Sequence, residues 1–84
     1  MASAIDPLAT FWRLRARDGR LLTCAAYRRS YGGLELRVQD DRDRVLLTQL
    51  FNGPDEHLRM VQAAERARER LVNNGLRDEG EPYP

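Results

Sequence analysis

The chain predicts a small α+β domain, a four-stranded antiparallel meander sheet followed by one C-terminal helix packed on one face (ββββα). Three observations predict it. Four short segments alternate apolar and polar residues, or run apolar, with turn residues between them. One amphipathic stretch follows, Gly53 to Gly75, with a start and a stop signal at its ends. The chain has 84 residues and one cysteine, which bounds it to a single domain without an internal disulfide or a cysteine zinc cluster. A core this small gains stability by dimerising.

Residues 1–10 (MASAIDPLAT) have no sustained period and contain Pro7, so they read as an extended arm that orders only if Ile5 and Leu8 dock. The domain itself is expected over 11–77. Phe11 to Arg17 alternates, with Trp12, Leu14 and Ala16 on one side and Arg13, Arg15 and Arg17 on the other. Asp18-Gly19 is a turn signal. Leu21 to Arg29 is the second strand. A two-residue turn would put Leu21, Thr23, Ala25 and Tyr27 inside. A three-residue loop with Gly19 left-handed pairs Ala16 with Arg20 and Trp12 with Cys24, putting Leu22, Cys24 and Ala26 inside. The second is preferred, because it leaves no hydroxyl in the core. Cys24 is then a small buried hydrophobe rather than a reactive thiol.

Ser30 to Gly33 is a loop, and Leu34 to Gln39 alternates with Leu34, Leu36 and Val38 inside. Asp40 to Asp43 reads as a solvated acidic turn. Val45 to Phe51 (VLLTQLF) is apolar without clean alternation. It suits a central strand, or one whose outer face meets another subunit, and its buried face stays open. In the helix, Asn52 and Gly53 are candidate N-caps and Pro54 the first helical residue. Gly75 suits the left-handed C-terminal position, with Leu76 making the hydrophobic contact after it. Met60, Ala63, Ala64, Ala67 and Leu71 share the core side. Residues 78–84 read as a flexible acidic tail.

The function classes narrow by elimination. No run of about 18 apolar residues is present, so no membrane helix is expected; with no visible signal peptide, the cytoplasm is the default. The acidic turn lacks the calcium-loop glycine and terminal glutamate, and His57 is the lone histidine. No metal site or cofactor is expected. No nucleophile elbow or phosphate loop occurs, and the chain has no lysine for Schiff-base chemistry. The expectation is therefore not an enzyme.

Two binding roles remain. The first is an interaction or regulatory module acting as a homodimer or on a protein partner, with Leu58, Val61, Arg68 and Val72 forming an apolar flank on the helix. The second is a single-stranded nucleic-acid binder using an Arg-rich open sheet face of Arg13, Arg15, Tyr27, Arg29 and Arg37. All fourteen basic residues are arginine, as in a GC-rich, bacterial-type coding bias, and arginine also forks well onto phosphate. Between Phe11 and Arg77 they outnumber the carboxylates by five. The order of four strands then a helix resembles that of whirly-type and PUR-repeat single-strand binders, which implies an open sheet face as the nucleic-acid site. The mixed charge of this outer face favours the interaction module.

Overall fold

The computed structural model describes residues 7–78. The strands are β1 (Ala9–Arg15), β2 (Leu21–Arg28), β3 (Leu34–Gln39) and β4 (Val45–Phe51); the helix α1 (Glu56–Asn73) and a two-residue strand β5 (Arg77–Asp78) follow. They form one antiparallel sheet in the order β4-β3-β2-β1-β5 with α1 across one face. The α+β meander is therefore observed, with β5 added beside β1.

The first turn has the expected three-residue form. Ala16 N donates to Arg20 O at 2.8 Å, Gly19 has φ +92°, and Trp12 lies opposite Cys24. Leu22, Cys24 and Ala26 are buried in the core, and Thr23 and Tyr27 lie on the other face. Burial pushes the Cys24 thiol up to about 12, so it is protonated and unreactive at neutral pH. β1 begins at Ala9, and Leu8 N continues the ladder by donating to Ala26 O at 2.7 Å. Leu8 thus docks through its backbone while its side chain stays exposed. Ile5 lies outside the described residues.

The helix start differs from the expected cap. Glu56 is the first helical residue, and Asp55 occupies the cap with φ 63° and no side-chain cap hydrogen bond. Pro54 belongs to a turn closed by Glu56 N on Gly53 O. The helix end has the form expected for glycine. Gly75, at φ +100°, donates to Val72 O, and Leu76 N donates to Leu71 O. Those two bonds make a Schellman motif, and Leu71 and Leu76 both pack on the core.

Met60, Ala63 and Ala64 are the buried helix residues, with Ala67 and Leu71 packed beside them. The alanines let α1 lie close enough for Trp12 Nε1 to donate to Ala64 O at 2.8 Å. Leu14, Leu36, Cys24 and Met60 fill the centre.

Gly33 ties the β2–β3 hairpin to the β4–α1 junction. At φ +87°, a Cβ there would overlap the Asn52 carboxamide and fall 2.8 Å from Phe51 O. Gly32, at φ +93°, faces open space. Both substitutions carry the backbone cost of about 1 kcal/mol, and only Gly33→Ala adds a clash. Urea unfolding is expected to show Gly33→Ala losing about 1–3 kcal/mol more than Gly32→Ala. Equal losses would remove the packing role of Gly33.

Candidate functional site

The sheet has one face under α1 and one open face. The open face carries Arg13 and Arg15 from β1; Thr23, Ala25 and Tyr27 from β2; Glu35, Arg37 and Gln39 from β3; and Val45, Thr48 and Leu50 from β4. Of the arginine-face candidates, Tyr27, Arg29 and Arg37 come together. They line one concavity of about 260 Å³ with Arg28, Ser30, Tyr31 and Glu35. The Arg37 guanidinium lies 4.3 Å from the Tyr27 ring centre, a cation–π stack. Arg37 also forks onto Glu35, with both hydrogen bonds at 3.2 Å. Beneath it Ala25 is buried. Arg37 is therefore partly neutralised and held in place. Tyr31, at the hairpin tip, is 96% exposed.

Arg13 and Arg15 do not join this group. Arg15 donates to Gly19 O at 2.9 Å and lines a second concavity, of about 540 Å³, with Ala16, Arg17, Gly19, Gly75 and Arg77. This basic group sits at the other end of β2. It forms because β5 sets Arg77 directly opposite Arg15. Arg17 lies against Gly75, where a Cβ would approach its Nε to 3.1 Å. The roles of Arg17, Arg77 and Tyr31 were not legible beforehand. Arg17 and Arg77 depend on β5, which is too short to show a period.

On the helix flank, Leu58, Val61 and Val72 are exposed. Arg68 within it forms an ion pair with Asp78 of β5. Asp78, expected as the first residue of the tail, therefore has a structural contact that binds α1 to the sheet border.

Among the described residues, the longest run of exposed apolar side chains lies elsewhere, on β4. This strand is the sheet edge, and Phe51 is its one buried residue. Val45 is 50% exposed, Leu46 47%, Leu47 37% and Leu50 49%. A bulge between Val38 and Gln39 in the β3–β4 pairing leaves Leu46 without an opposite residue. Leu46 and Leu47 both line a groove of about 170 Å³ between β4 and α1, with Leu22, Val38, Ala67 and Leu71. The apolar surface wraps the strand, since Val45 and Leu50 belong to the open face.

The turn that launches β4 is built on Asp40, whose side chain is buried rather than solvated. Its Oδ1 accepts from Arg44 N and Arg42 N, each at 2.9 Å. These N–H donations, Arg44 first, hold its carboxyl below the usual carboxylate range. Among the described residues no group of three or more histidine, cysteine, aspartate or glutamate side chains could hold a metal. Nor is any helix among them long and apolar enough to cross a membrane. His57 is exposed on the first helical turn.

No family model, no curated protein and no solved structure matches the chain.

Asp40 gives a pH dependence of defined sign. Its folded pKa lies below the unfolded value of about 3.9, so its contribution is present above that value. It is lost as pH falls through the folded pKa. Urea midpoints measured from pH 7 down to pH 2 should therefore fall less steeply in Asp40→Asn than in the native chain. Identical profiles would deny Asp40 this role.

Proposed function

We propose that the protein is a small, non-enzymatic interaction module that works in the cytoplasm as a homodimer, with the β4 side as its interface. The single observation that carries this reading is the half-exposed apolar surface wrapped around an edge strand. A long, uncharged edge is a template for pairing with another chain, and free monomers usually blunt such edges with charge, proline or a covering element. VLLTQLF has neither charge nor proline. The helix flank of Leu58, Val61 and Val72 is a narrower strip, and Arg68 breaks it. The buried, protonated Cys24 is compatible with a reducing compartment.

A second reading is favoured by the hairpin concavity. Tyr27 stacked under Arg37, exposed Tyr31, and Arg28 and Arg29 beside them provide π-faces and cations in one place. Single-stranded nucleic acid uses both. Glu35 inside the same group offsets part of the charge and leaves this as the weaker reading.

Sedimentation equilibrium at about 0.15 M salt should show a dimer of the native chain and a folded monomer for Leu50→Glu, while Val61→Glu stays dimeric. A dimer lost in Val61→Glu and kept in Leu50→Glu would move the interface to the helix flank, and a monomeric native chain would overturn the homodimer.

For nucleic acid, titration with a fluorescent mixed-sequence single-stranded oligonucleotide discriminates. Under the second reading Tyr31→Ala weakens binding about 5- to 100-fold, the loss of one stacked base. Arg29→Ala lowers the salt slope by about one phosphate contact. No binding by the native chain removes this reading.

A further inference from the structure

The ladder geometry defines how a second copy fits β4. In an antiparallel sheet, each residue directs its backbone N–H and C=O to one neighbouring strand, and successive residues alternate. Arg29 N bonds Gly33 O, so β3 residues of odd number point to β2. Those of even number point to β4, in agreement with Asp40 N on Arg44 O. Their partners Phe51, Gln49 and Leu47 therefore use their backbone groups inward, on β3. Thr48 and Leu50 direct theirs outward, at the open edge.

From this the geometry points to a specific assembly: two copies pair their β4 strands antiparallel about a two-fold axis through Thr48, joining the two five-stranded sheets into one. The inference rests on the homodimer reading and adds its register. An axis at Thr48 sets the outward-directed Thr48 against its own copy as a hydrogen-bonded pair, and Leu47 against Gln49 of the second copy. Leu46 then falls opposite Leu50 of the second copy, and because of the bulge Leu46 lies on the α1 side of the seam while Leu50 lies on the open face. This register overlaps the whole of Val45–Phe51, and shifting the axis by one residue shortens the overlap.

Three features favour a second copy over an unlike strand. The pairing is self-complementary, since a threonine meets a threonine on the axis and cross-strand threonine pairs are favourable. No charged residue lies in Val45–Phe51, so a like-charge clash between identical strands does not arise. The surface also fits. Seven residues make a seam about 24 Å long. Apolar side chains on both sides of the sheet would be removed from water along that seam.

Site-directed oxidation tests the register. Paired residues in this geometry bring Cα atoms to about 4.5–5.5 Å, within disulfide reach. Thr48→Cys protein is oxidised with copper phenanthroline at a concentration where sedimentation shows the dimer, and non-reducing electrophoresis is read. In parallel, Leu47→Cys and Gln49→Cys are mixed in equal amounts and oxidised. The expected result is a covalent dimer of Thr48→Cys, and a cross-linked product in the Leu47→Cys and Gln49→Cys mixture well above either variant alone. The native chain should give none, because its sole thiol, Cys24, is buried. A sedimenting dimer that cross-links in neither arm overturns the Thr48 axis and leaves the homodimer standing. A native chain that sediments as a monomer overturns the homodimer itself.

Discussion

The hydrogen bond from the Trp12 indole to the Ala64 carbonyl is the join on which the architecture depends. It links residues 52 positions apart and is buried, so its loss would strand a donor in an apolar core. For the bond to form, the helix backbone must come down onto β1, and only small side chains allow that. Ala63 and Ala64 supply them, and Met60 fills the space beyond. The Schellman motif at Gly75 then turns the chain back so that Arg77 and Asp78 can pair with β1.

Docking the helix there leaves the far strand only partly covered. A helix is about 10 Å wide and strands lie about 4.8 Å apart, so one helix shelters roughly two strands of a five-stranded sheet. α1 reaches β1, β3 and β4 by crossing obliquely, and it buries only Phe51 of β4. The remaining leucines of β4 line a groove or face outward. Sequence and cover are mismatched at this strand, since a central-strand composition occupies an edge position.

That mismatch also explains what could be read from the chain alone. Strands with clean alternation, such as Trp12-Leu14 and Leu34-Leu36-Val38, were legible because period and burial agree. The three-residue turn was legible because Thr23 and Tyr27 could not be hidden cheaply. The helix end was legible from Gly75, whereas its start was not. A left-handed Asp55 replaces the usual cap, and no local pattern encodes that. β5 escaped notice because two residues carry no period, and the arginine group around Arg77 escaped with it. Tyr27 and Arg37 share the open face, as strand alternation implies. Their stacking, and the hold of Glu35 on Arg37, depend on cross-strand register.

The other border of the sheet sets a limit on growth. Among the described residues β5 pairs with Leu14 and Arg15 alone, and the rest of β1 is interrupted by the irregularity between Thr10 and Trp12 and carries an outward arginine at position 13. A bulge and a charge are the usual means of making an edge a poor template. The molecule therefore has one receptive border and one blunted border. Head-to-tail addition, which builds filaments, requires two unlike borders that fit each other. In the proposed homodimer the open edge is consumed by pairing with the same edge of a second copy, and the blunted border offers no site for a third.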